Sequence, residues 1–301
     1  MQLIIVTGLS GSGKSIVLRV LEDSGYYCID NLPATLLPQI SQHLTVVNQS
    51  NIAAQGTNLD KVAISIDSRS AALDALPQAI ATLRATGHHV NVLFLESTVE
   101  TLVKRFSETR RKHPLSNDNT TLAESIAFER ELLTGLADMG HHIDTSNLSA
   151  NALRNHIRDL VTHTNDITND DANSKYINNG LVLLFTSFGF KNGVPLDADF
   201  IFDVRSLPNP HYDPILRPFT GKDAAIQAFL QKEPMVHDML TDIQHYISKW
   251  LPSFNHDNRS YVTVAIGCTG GQHRSVYFVE QLNHYFKQQK QNVIIRHREL
   301  N

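Results

Sequence analysis

Met1-Gln2-Leu3-Ile4-Ile5-Val6-Thr7-Gly8-Leu9-Ser10-Gly11-Ser12-Gly13-Lys14-Ser15 opens the chain with an apolar run, a glycine-rich turn and a lysine. Leu3 to Val6 has the length and apolar character of a buried strand. Gly8 to Ser15 matches G-x-x-x-x-G-K-[ST], after a predicted strand and before a predicted helix, the context this phosphate-binding motif requires. The glycines let successive N–H groups turn inward around phosphates, and the helix N-terminus adds positive potential there. Gly8, Leu9, Ser10, Gly11, Ser12, Gly13, Lys14 and Ser15 are therefore expected to form a site for ATP or GTP. Lys14 would reach the β- and γ-phosphates, and the Ser15 hydroxyl would ligate Mg²⁺.

Outward from this motif, 26–30, 62–67, 92–96 and 141–145 are further strand-length apolar segments separated by helical patterns. Such alternation predicts an α/β fold with a parallel sheet covered by helices. The 301 residues are about twice a usual domain. A polar stretch from Thr162 to Lys175 marks the expected break, with a P-loop domain over 1–162, a linker over 163–178 and a second α/β domain over 179–301. Residues 44–60 and 116–121 read as polar loops, the second as a lid. In the second half Leu181–Phe185 and Tyr261–Ile266 are strand candidates. Five of the eleven prolines fall in 195–218, which predicts extended, rigid loop there. No apolar run approaches the roughly 20 residues of a membrane span. The N-terminus lacks a basic n-region, so a cytoplasmic protein is expected. Two distant cysteines, Cys28 and Cys268, make neither a disulfide framework nor a zinc cluster. The formal charge of −4 gives no global attraction to nucleic acid, although 259–301 holds six Lys/Arg against two acids, which is as well explained by a solvated basic face.

Acidic residues end several strands. Asp30 and Asp67 could each hold the metal's water shell or orient a nucleophile, and each could equally cap the next helix. With Lys14 they form the candidate catalytic set. Arg105, Arg110 and Arg111 lie in a basic stretch that could close over a triphosphate or face solvent. In the second half, Tyr261–Ile266 leads into Gly267-Cys268-Thr269-Gly270-Gly271-Gln272-His273-Arg274-Ser275, and Val276, Val279, Leu282 and Phe286 follow at helical spacing. N–H groups at Thr269 to Gly271 and the Arg274 fork would cradle an anion. Cys268-x₅-Arg274-Ser275 also fits the loop of cysteine-dependent phosphatases, but no general acid follows from the sequence, and Cys268 is read as structural. Asp203, Arg205 and His211 could line the same pocket, or Asp203 and Arg205 could be a local ion pair.

Seven segments in order resemble the RapZ/YvcJ family of nucleotide-binding proteins. They are Gly8–Ser15, Tyr27–Pro33, Asp67–Ser70, Arg110–Leu115, Ser187–Lys191, Val204–Pro210 and Gly267–Ser275. The resemblance implies a kinase-like N-terminal domain with ATPase and GTPase activity, Asp67, Ser68, Arg69 and Ser70 contacting GTP. It implies a C-terminal domain similar to a phosphofructokinase subdomain, which in enterobacterial members binds glucosamine-6-phosphate and small regulatory RNAs and serves as an adapter for RNase E. His211, Thr269, Gly270 and Arg274 match the sugar-phosphate pocket, and Gly271 lies between them. A small regulatory RNA, an RNase or a two-component protein, and a second copy of the chain are the implied partners. Enterobacterial members continue past the His297–Leu300 segment into a Lys/Arg-rich tail for RNA, whereas the sequence stops at Asn301. Three functions stand open: a regulatory NTPase sensing a phosphometabolite, a small-molecule kinase using the same loop, and an RNA adapter whose loop is only regulatory.

Overall fold

In the computed structural model, which describes residues 1–40, 42–43, 60–70, 72–117, 119–137, 139–166, 181–256 and 261–300, the chain divides into two units, Met1–Thr162 and His163–Asn301. The first is built on β1 (Gln2–Gly8), β2 (Tyr27–Ile29), β3 (Lys61–Ser65), β4 (His89–Glu96) and β5 (His141–Asp144), all parallel in the order β2-β3-β1-β4-β5. Parallel strands need crossovers, and the described ones are helical: α1 (Lys14–Asp23), α2 (Leu76–Ala85), α3 (Val99–Thr109) and α4 (Leu122–Ala137), with α5 (Ala150–Asp166) after β5. Strand β1 lies in the middle, so Leu3 to Val6 are buried and read as a continuous apolar run. Its register against β3 and β4 brings Gly8 to the carboxyl edge of the sheet, where open α/β folds bind ligands. Leu3, Ile5, Ile64, Val92 and Phe94 form the core with Ile80, Leu102, Ile126 and Leu133 from the helices.

The second unit is a separate parallel sheet, β7-β8-β6-β9, of β6 (Val182–Gly189), β7 (Phe200–Asp203), β8 (Tyr261–Cys268) and β9 (Asn292–His297). Helices α6 (Ala224–Leu230), α7 (Pro234–His256) and α8 (Arg274–Gln288) cover it. The stripe Val276, Val279, Leu282 and Phe286 is fully buried, as the spacing predicts. The strands expected at 181–185 and 261–266 run longer, over Val182–Gly189 and Tyr261–Cys268. The region 195–218 is not loop throughout: it contains edge strand β7 and a 3₁₀ turn at Pro210–Tyr212.

The polar stretch from Thr162 begins inside α5, which runs through Asp166. Extending a formed helix by a turn costs little, whereas starting one is unfavourable. Residues 167–175 of that stretch, 167–178 of the expected linker, and 44–59 of the first polar loop lie outside the described residues. Of 116–121, all but Asp118 are described. Ser116 N–H donates to His113 O (3.0 Å) and Thr121 N–H to the Glu124 carboxylate (2.7 Å).

Candidate functional site

The turn between β1 and α1 takes its shape from its glycines. Gly8 has φ 126°, and a Cβ there would lie 2.0 Å from Leu95 O on β4. Gly13 ends the turn in the left-handed region (φ 111°, ψ 14°) and starts α1 without a side-chain cap. The N–H groups of Gly11, Gly13, Lys14 and Ser15 meet no backbone acceptor among the described residues. Lys14 Nζ folds back and donates to Gly8 O (2.7 Å) and Leu9 O (3.1 Å). Burial holds its ammonium below the usual lysine range, opposed by Glu129, Asp67 and Asp30. Both candidate carboxylates therefore stand near Lys14. Asp67 is nearly buried and held by the Arg69 guanidinium (Nε 2.9 Å) and backbone N–H (3.0 Å). Asn31, with its amide nitrogen turned inward, donates to both Asp67 oxygens (3.0 and 3.1 Å). Asp30 and Ser15 are exposed.

Several expected ligand residues have other employment. Leu9 is a core side chain. Ser10 does not offer its amide to the turn, because both its N–H (2.8 Å) and its hydroxyl (2.6 Å) donate to the buried Glu129 carboxylate. Ser68 donates to the same carboxylate (2.6 Å), and Ser70 Oγ accepts from Ala34 N–H (2.6 Å). Arg105 is built into the framework: it donates to Gly11 O (3.1 Å) and to Thr145 O (2.6 Å), tying the turn to the end of β5. Arg110 and Arg111 are exposed, Arg110 with φ 52° at the end of α3.

The second unit repeats the arrangement between β8 and α8. Gly271 N–H donates to Cys268 Sγ (3.2 Å), and Ser275 Oγ lies 3.2 Å from the same sulfur. Cys268 is buried. Arg274, also buried, spends one arm of its fork on Arg205 O and Leu207 O (both 2.8 Å) and reaches Thr269 Oγ1 weakly with the other (3.4 Å); its Nε has no partner. The free planar fork expected from sequence is thus half committed to the main chain. Arg205 stacks on Phe190 (3.9 Å) and forks onto Asp203, whose carboxyl it holds below the usual range. The pair is a local ion pair. His211 is exposed, its ring 6.0 Å from that of His273.

The family model described as RapZ-like N-terminal domain matches residues 1–165, and that described as RapZ C-terminal domain matches 181–301. The chain belongs to the RapZ family. A "Nucleotide-binding protein" of Methylobacillus flagellatus is 60% identical to this RapZ-family chain over 300 residues, covering 100% of it and 99% of the relative. One of the same name from Chromobacterium violaceum is 52% identical over 301 residues, with the same coverage. A shikimate kinase structure from Bacteroides thetaiotaomicron is 16% identical, covers 53% of the chain and 98% of its own, and has a TM-score of 0.34. Among the described residues no helix is long and apolar enough to cross a membrane.

Two histidines of the RapZ C-terminal domain titrate against burial. His273 donates from Nε2 to Arg217 O (3.2 Å), and His297 lies between Ser187 (2.8 Å) and Glu280 (3.2 Å). Burial is the main cause that holds both below the ordinary value of 6.5. Both stay neutral in the fold and charge in the unfolded chain, so their contribution is complete above about pH 6.5 and is lost as pH falls through the folded values. The fluorescence of Trp250, the one tryptophan, should therefore report a lower Tm at pH 5.5 than at 7.5. A Tm that is level or higher at pH 5.5 would contradict this.

Proposed function

We propose that this chain binds ATP and GTP with Mg²⁺ at Gly8–Ser15, hydrolyses them slowly, and uses its C-terminal unit to sense a phosphorylated sugar such as glucosamine-6-phosphate. The observation that carries the first part is the set of open N–H groups at Gly11, Gly13, Lys14 and Ser15 around a lysine at a helix N-terminus. Lys14 would exchange the Gly8 and Leu9 carbonyls for phosphate oxygens, and Ser15 would meet the metal. Asp67 is engaged by Arg69 and Asn31, which leaves Asp30 as the carboxylate open to the metal's water shell, with Asp67 to Ser70 lining the site. The names of the relatives support nucleotide binding. His211, Thr269, Gly270, Gly271 and Arg274 would take the sugar phosphate. Family membership supports a further role as adapter between a small regulatory RNA and an RNase or a two-component protein, as a cytoplasmic homo-oligomer.

A small-molecule kinase is the second reading, favoured by the acidic side chains around Lys14. Incubation with γ-labelled ATP and a metabolite extract separates the two. Label released as phosphate alone supports the NTPase, and label on an acceptor supports the kinase.

The Cys268 thiol is enclosed by Gly271 N–H and Ser275 in a loop whose arginine faces the main chain. Cys268→Ser should therefore preserve sugar-phosphate binding, and the wild type should show no vanadate-sensitive phosphatase activity. Phosphatase turnover that disappears in the variant would make Cys268 a nucleophile instead.

A further inference from the structure

Helix α4 carries one carboxylate into the interior of the first unit. Glu129 is fully buried on the same stripe as Ile126, Leu133 and Leu136. Its Oε2 accepts from Ser10 N–H (2.8 Å) and His113 Nε2 (3.1 Å), and its Oε1 accepts from the hydroxyls of Ser10 and Ser68 (both 2.6 Å). Leu115 N–H donates to His113 Nδ1 (3.2 Å), so Nδ1 is the acceptor of the ring and Nε2 the nitrogen that donates to Glu129. Every donor to Glu129 is thus uncharged, and the two cations that feel its charge, Lys14 and Arg69, act on it across space without a hydrogen bond. Of the opposite charges acting on Lys14, that of Glu129 is the strongest.

A charge without a hydrogen-bonded counter-ion in a poorly solvated interior acts over several ångströms. The phosphates of a nucleotide in the turn would carry several negative charges to within that range, since Ser10 belongs to the turn itself. Glu129 also draws Ser10 N–H away from the turn and offers Lys14 an opposite charge without a ligand. We propose that Glu129 is a built-in anion that competes with nucleotide phosphate, holding the empty loop in order and setting affinity downward. It acts through Ser10 and Lys14 and is a positioning residue. A loop tuned this way releases its ligand readily, as a sensor of nucleotide level requires.

The inference rests on nucleotide binding at Gly8–Ser15. Glu129→Gln isolates the charge, because its carbonyl can accept from Ser10 N–H and His113 Nε2–H while its amide donates to the two hydroxyls, which rotate to accept. In calorimetric titration of the full chain with Mg²⁺-ATP, the variant is expected to bind about ten-fold more tightly, with KM falling by a similar factor and no rise in kcat. Unchanged or weaker ATP binding by a variant that melts like the wild type would overturn the proposal. Should the variant fail to fold, the wild type gives a second reading. In a structure with Mg²⁺ and a non-hydrolysable ATP analogue, Ser10 N–H should leave Glu129 Oε2 for a phosphate oxygen, and a loaded loop that keeps Ser10 N–H on Glu129 would overturn the proposal as well. Wild-type chain that binds no ATP would overturn both this inference and the proposed function, whereas ATP binding that Glu129→Gln leaves unchanged removes only the role of Glu129.

Discussion

Lys14→Ala is expected to remove most ATP and GTP turnover while the protein still melts cooperatively near the wild-type Tm. Lys14 is partly exposed, and in the empty site its ammonium contributes two hydrogen bonds, to Gly8 O and Leu9 O, of which Leu9 O keeps the Ser12 N–H as a donor (3.1 Å) once the side chain is gone. The fold therefore loses little. In the loaded site the same ammonium would meet phosphate oxygens, and each charge-assisted hydrogen bond is worth about 1.5–3 kcal/mol. Losing one lowers affinity by about ten-fold or more, and losing the charge that neutralises the transferring phosphoryl group lowers kcat as well. Steady-state phosphate release with each nucleotide measures both. Turnover equal to wild type would remove Gly8–Ser15 from the reaction.

Arg274→Ala should have the larger effect on the second unit, and a double one. The guanidinium bridges Arg205 O and Leu207 O from inside the fold. Alanine would leave two main-chain carbonyls without a donor, at about 1–3 kcal/mol each. Denaturation followed by Trp250 fluorescence should show a clear loss of stability. Under conditions where the variant is still folded, its affinity for glucosamine-6-phosphate should fall more than ten-fold, from the loss of the Thr269-side arm and Nε. Arg274→Lys should recover only part of either effect, because one ammonium cannot span two carbonyls and a phosphate at once. Calorimetry against glucosamine-6-phosphate and glucosamine separates the two contributions. Equal or absent binding of both by the wild type would contradict the site.

The P-loop and the first sheet were legible because their signals are local. Leu3 to Val6 is a central strand buried on both faces, and the glycine turn needs only eight consecutive residues. Strand β7 was hidden in a proline-rich region, since Phe200–Asp203 is a short edge strand with alternate residues exposed. Strand β9 is only partly buried beyond Ile294, so its apolar pattern is weak. At the candidate site, the sequence located Lys14, Asp30 and Asp67 but not what Ser10, Ser68 and Arg274 are bonded to, because those partners lie 61 to 119 residues away. Glu129 was missed for another reason. A glutamate in a helix reads as solvated, yet it falls three after Ile126 and four before Leu133, and that spacing placed it on the buried face. Its burial was readable; its four donors, drawn from three other segments, were not.

A crystal structure of the chain with Mg²⁺ and a non-hydrolysable ATP analogue tests the central claim most directly. The β- and γ-phosphates should lie against the N–H groups of Gly11, Gly13, Lys14 and Ser15, with Lys14 Nζ moved from Gly8 O to a phosphate oxygen and Mg²⁺ on Ser15 Oγ. An analogue bound elsewhere, or a loop that keeps Lys14 on Gly8 O and Leu9 O at saturating analogue, would contradict it.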